Sequence, residues 1–161
     1  MKLSPRRLVR IALVAAVYAV LTLAPPFSSL SYGPVQVRVS EALTVLPFLT
    51  RDAIPGLWAG CILANLASPF LVYDLTLGAG ATLAAAYLTS RMPRDLAAPL
   101  PPVIINSLVV SAYVSKLSDM PYLPVALNIA IGEAIACYAL GYPLLRFLGR
   151  NPGARRFFEG E

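Results

Sequence analysis

The sequence predicts an all-α integral membrane protein with six transmembrane helices and both termini in the cytoplasm. Three observations carry this. The 161 residues are 58% hydrophobic and 13% charged, against about 25% charged in soluble domains, and mean hydropathy is +0.70. Apolar runs of helical length alternate with short polar breaks. The basic residues gather at the chain ends and in alternate breaks, the pattern that membrane orientation leaves, so the net charge of +5 does not point to nucleic acid. The length indicates one domain, read as a six-helix membrane domain over 1–150 and a polar, frayed cytoplasmic tail over 151–161.

Helix 1 is predicted from Leu8 to Ala24, preceded by Lys2, Arg6, Arg7 and Arg10 and stopped by Pro25-Pro26, since proline lacks the amide and clashes with the preceding turn. It has no small-residue cleavage region, so it reads as a retained helix. Helix 2 is expected to start at Ser40 as N-cap, with Glu41 in a first turn that favours an anion, and to end near Thr50. It is short for a span. Helices 3 and 4 are expected over Ala53–Pro69 and Leu75–Ser90. Helix 5 opens after Leu100-Pro101-Pro102 and reaches Leu117. Helix 6 runs from Leu123 to Leu148 with a bend at Gly141-Tyr142-Pro143.

Charge decides the number of crossings. Six place eleven of the thirteen basic residues on one side, leaving only Arg38 and Lys116 outside, as the positive-inside rule asks. In that topology Glu41, Asn65, Asp74 and Asn128 fall in the outer half of the membrane, and Asn106 and Glu133 nearer its middle. Carboxylates and carboxamides are costly in hydrocarbon and normally face a cavity or each other. The set therefore predicts a solute pocket open to the exterior. The structural alternatives are interhelical hydrogen bonds for the asparagines, an Arg38–Glu41 pair, and an N-cap role for Asp74.

Several chemistries are absent. The chain has no histidine, which removes Ser-His-Asp, Cys-His and HExxH sites. Its lysines, Lys2 and Lys116, do not follow glycine, so there is no phosphate-binding P-loop. Tyr73-Asp74 lacks the GxGD partner of an intramembrane protease, and Gly78-x-Gly80 lacks the strand context of a dinucleotide loop. Cys61 and Cys137 sit in apolar runs and read as small hydrophobes. The expectation is a non-enzyme without cofactor or metal. Small residues one turn apart, Ala12 with Ala16 and Ala15 with Ala19, mark helix 1 for close helix packing, as do Gly56 with Gly60 and Gly80 with Ala84.

The stretches QVRVSEALTVLPFLTRDAIPGLWAGCILANL, DLTLGAGATLAAAYLTSR, PPVIINSLVV and GEAI resemble the QueT family of queuosine-precursor transporters, across most of the chain. These are substrate-binding S components of energy-coupling-factor (ECF) transporters. The resemblance implies capture of a 7-deazaguanine base from outside the cell. It also implies partnership with a transmembrane T component and two cytoplasmic ATPases, and docking to the T component through Ala12 and Ala16, with Ala15 and Ala19 beside them. On this reading Glu133 takes the base edge, with Asn65, Asn106 and Asn128 at the remaining edges. Tyr113, Tyr32 or Trp58 stacks on the ring, Asp74 is a further acid, Glu41 and Arg38 guard the entrance, and residues 26–39 form a lid. An S component for another vitamin or base, or a structural membrane protein, are the competing readings.

Overall fold

The computed structural model describes residues 4–25 and 37–159, and every regular element among them is helical. In order these are α1 (Pro5–Leu23), a 3₁₀ helix (Val39–Phe48), α2 (Ala53–Asn65), α3 (Leu71–Thr89), a 3₁₀ turn (Asp95–Ala97), α4 (Leu100–Leu117), α5 (Tyr122–Arg150) and α6 (Pro152–Glu159). Ser4 caps α1 by accepting from the Arg7 amide at 3.4 Å, with Pro5 in the first turn. Ala24 turns extended ahead of Pro25, as a residue before proline does. At the far end of α4, Asp119 takes φ 52°. The Met120 amide then bonds back to the Ser115 carbonyl at 2.9 Å, a left-handed stop that turns the chain into α5.

The all-α expectation holds, but the six crossings do not. Among the described residues three helices are long and apolar enough to cross a membrane: Leu71–Thr89, Asp95–Leu117 and Tyr122–Arg150. The reason is reach. Ten residues wound as a 3₁₀ helix extend only about 20 Å, and the 13 residues of α2 also about 20 Å, against a hydrocarbon core of about 30 Å. Helix α1 has the length, 19 residues, but carries Arg6, Arg7 and Arg10 in its first six positions. Placing both termini in the cytoplasm rested on six crossings and falls with them. The chain is a multi-pass membrane protein nonetheless. Leu77, Ile104, Leu127 and Ile131 of the long helices are all exposed, where soluble monomers rarely show contiguous apolar surface.

Two glycines set the packing. A Cβ on Gly60 would sit 2.8 Å from the Ala15 carbonyl oxygen and from Tyr18 Cβ, so α1 and α2 meet backbone to backbone. A Cβ on Gly141 would sit 2.8 Å from the Ala42 carbonyl oxygen, which lets α5 lie against the 3₁₀ helix. Gly80 and Ala84, by contrast, are exposed, and a Cβ on Gly80 would meet nothing within 4 Å among the described residues. The expected bend of helix 6 takes the form of a π segment, Ile135–Gly141, just ahead of Pro143. A second π segment, Asp74–Gly78, opens α3.

Over 152–159 the tail is helical rather than frayed. Residues 152–159 form α6, and Phe158 packs on the core cluster that contains Val14, Tyr18 and Leu57. Arg10 ties it down, donating from Nη1 to the Phe157 carbonyl at 2.9 Å and from Nε to Asp52 Oδ2 at 2.8 Å. Arg7 Nε holds Asp52 Oδ1, also at 2.8 Å. Burial pushes the Asp52 carboxyl up, but the hydrogen bonds and charges of Arg10 and Arg7 outweigh it and hold it below the usual carboxylate range.

Two outcomes are expected. Gly60→Ala should force α1 from α2 and destabilise the protein by about 1–3 kcal/mol, read as earlier thermal unfolding in detergent. Asp52→Ala strands a buried Arg10 and should cost about 3 kcal/mol. Because folding lowers the Asp52 pKa, its contribution is complete above the unfolded carboxylate value, about 4, and fades as pH falls through the folded one. The wild-type advantage over Asp52→Ala should therefore shrink in acid; an advantage that grew in acid would contradict the pairing.

Candidate functional site

Four segments converge on one narrow cleft, whose empty space is about 360 Å³ when its open mouth is counted. The 3₁₀ helix and the residue before it supply Glu41 and Arg38. Gly78 and Thr82 come from α3, Asn106 and Val110 from α4, and Ile129 and Glu133 from α5. Local structure explains the convergence. Residues three apart align in a 3₁₀ helix, so Thr44 sits by Glu41 and donates to its carbonyl oxygen at 2.6 Å. Residues four apart align in an α-helix, which puts Val110 beside Asn106 and Ile129 beside Glu133.

The centre of the cleft is a shared amide. Asn106 Nδ2 donates to Glu41 Oε2 at 3.4 Å and to Glu133 Oε1 at 3.2 Å. Tyr18, reaching in from α1, donates its hydroxyl to Glu41 Oε1. Cys137, one turn beyond Glu133, contacts Glu133 Oε2 at 3.8 Å and the Glu41 carbonyl at 3.4 Å. All three central residues are buried, Glu41 to 2%, Asn106 to 3% and Glu133 to 7% exposure. Asn106 Oδ1 is buried without a hydrogen-bond partner among the described residues.

A second polar layer lies behind. Arg38 Nη1 donates to Asn65 Oδ1 at 3.5 Å, and Asn65 Nδ2 donates to the Asp74 carbonyl at 3.0 Å. The Asp74 carboxylate accepts from the Tyr113 and Ser68 hydroxyls. Tyr113 stacks on Tyr73 with ring centroids 5.7 Å apart. Gly78 separates this layer from the cleft: a Cβ there would lie 3.2 Å from both Asp74 Oδ1 and the Tyr113 hydroxyl.

Of the residues singled out in the sequence, Arg38, Glu41, Asn106 and Glu133 line the cleft. Asn65, Asp74 and Tyr113 form the layer behind. Asn128 is exposed on α5 and Trp58 is 42% exposed on α2; neither lines it. Ser40, expected as a cap, lies inside the 3₁₀ helix with its hydroxyl 2.7 Å from Thr22 Oγ1. Tyr32 and residues 26–36 of the expected lid lie outside the described residues. Sequence reasoning missed Tyr18, Thr82, Val110, Ile129 and Cys137. The last three are one helical turn from Asn106 or Glu133, a spacing that could have found them. Nothing in the sequence ties Tyr18 to Glu41.

The cleft holds acids, an amide and a guanidinium without a nucleophile–base pair, and no cluster among the described residues could hold a metal ion. The profile described as QueT transporter matches residues 8–150. The chain is 42% identical over 76 residues to the queuosine precursor transporter QueT of Lactococcus lactis subsp. cremoris (strain MG1363). That alignment covers 47% of this chain and 44%, less than half, of the relative's length. No solved structure matches. The profile spans all four segments that build the cleft, and the chain belongs to the QueT transporter family.

Proposed function

We propose that the chain is the substrate-binding S component of an energy-coupling-factor transporter and takes up a queuosine precursor, a 7-deazaguanine base. The observation that carries this is the buried Glu41–Asn106–Glu133 group in a chain of the QueT transporter family. A guanine-like edge presents adjacent N–H donors that carboxylates accept in pairs. Val110 and Ile129 supply apolar walls for the ring, and the Arg38 guanidinium is a donor for a ring carbonyl. The cleft is narrow, so the base enters as the side chains around it part. Hydrolysis of ATP falls to two partner ATPases, acting through a transmembrane T component.

Docking to that component is proposed through Ala12 and Ala16. Both are exposed on α1, whereas Ala15 is buried against α2 and Ala19 is half-buried. The two small-residue strips thus face different ways: one closes the α1–α2 contact, and the other leaves a flat surface for a further helix.

Purified protein titrated with 7-cyano- or 7-aminomethyl-7-deazaguanine should bind, with riboflavin as the control that does not. Glu133→Ala should weaken binding by about ten- to a hundredfold, the worth of a hydrogen bond to a charged group. Binding of riboflavin alone would replace the base with another vitamin. Ala12→Leu with Ala16→Leu should abolish uptake in cells expressing the complete transporter while leaving the titration unchanged. Normal uptake by that variant would remove the docking assignment.

A further inference from the structure

Resting on the reading of the cleft as a base site, we propose that Asn106 is a specificity-determining residue that presents only its carbonyl oxygen to the solute, and so selects a base with an exocyclic amino group at its donor edge. The reasoning is an accounting of one amide. A carboxamide has two N–H donors and an oxygen with two lone pairs. Both donors of Asn106 are taken, one by Glu41 Oε2 and one by Glu133 Oε1. Its Oδ1 is buried and has no partner among the described residues, and the residue lines the cleft. Turning the amide over would give up both of these donor bonds, so the two acids favour the orientation shown. A buried acceptor without a partner is costly, and a solute N–H relieves that cost.

The wall formed by Glu41, Asn106 and Glu133 is therefore rich in acceptors. A base whose edge carries a ring N–H flanked by an amino group matches it. One that carries hydrogen in place of the amino group leaves an acceptor bare. A site built to bond an N–H rejects the analogue that lacks it far more strongly than an apolar pocket rejects a missing methylene. The acids hold the amide and accept beside it; Asn106 reads the amino group.

The test compares 7-deazaguanine with 7-deazahypoxanthine, which differ only in the amino group, by titration of the full-length purified protein. The wild type should prefer the amino base by at least about tenfold. In Asn106→Leu that preference should fall to within about threefold, mainly through loss of affinity for the amino base. Asn106→Ser, which keeps a small polar group, serves if the leucine variant does not fold and should narrow the preference in the same direction. Equal binding of both bases by the wild type overturns the proposal but leaves the base-transport reading standing. An undiminished preference in the variant that folds assigns the discrimination to another residue and likewise overturns it. Binding of neither base by folded wild-type protein removes the base-site reading itself.

Discussion

A single amide holding two carboxylates is the interaction on which the rest of the structure depends. Glu41, Asn106 and Glu133 come from the 3₁₀ helix, α4 and α5, so their two hydrogen bonds fasten three separate elements at one point. Buried acids in an apolar body are costly unless they are hydrogen-bonded. The chain meets that demand from several directions: the Tyr18 hydroxyl from α1, Asn106 from α4, and Cys137 one turn along α5. The second layer follows the same logic, with Asn65 joining Arg38 to Asp74 and two hydroxyls serving the Asp74 carboxylate. Within this network Asn106 Oδ1 is a buried acceptor with no hydrogen-bond partner among the described residues.

Close backbone packing makes that convergence possible. Gly60 brings α1 onto α2, which carries Tyr18 to Glu41, and Gly141 brings α5 onto the 3₁₀ helix, which carries Cys137 to the Glu41 carbonyl. Helix irregularities fall in the same places. The 3₁₀ helix bears Glu41, one π segment ends at Gly78 on the cleft, and the other begins just after Glu133. Such windings are uncommon in long runs and gather at functional sites. Here each changes the rotation of a helix beside a cleft-lining residue. At the opposite edge of α1, Asp52 and its two arginines lock the helix to α2 and α6, so the helix that supplies Tyr18 is fixed at both ends of its packed face.

The sequence made the helices and the polar set legible because both follow from composition: apolar runs demand helices in lipid, and a carboxylate within such a run demands a cavity or a partner. That reasoning picked out Glu41, Asn106 and Glu133, which line the cleft; Arg38, which lines it too, entered only as a pair for Glu41 or as a residue of the entrance. It failed where geometry, not residue type, decides. Asn128 has the same chemistry as Asn106, yet its position on α5 turns it outward. The count of crossings let charge outweigh the shortness of the second helix, and charge carries no information on reach; the 3₁₀ helix and α2 are too short for the hydrocarbon core. The Tyr18–Glu41 contact joins residues 23 apart through a fold-dependent crossing that no local pattern encodes. The two alanine strips of α1 looked equivalent in sequence, and only the position of α2 separates the internal one from the exposed one.

Family membership and cleft chemistry thus meet at one place: a chain of the QueT transporter family whose buried polar centre holds an amide acceptor without a partner among the described residues. The most direct measurement is an experimental structure of the purified chain with 7-aminomethyl-7-deazaguanine bound. Density for the base between Glu41, Asn106 and Glu133, its donor edge on Asn106 Oδ1, is the predicted result. Density for the base elsewhere on the protein, with Asn106 still held by the two carboxylates and the cleft closed, would contradict it.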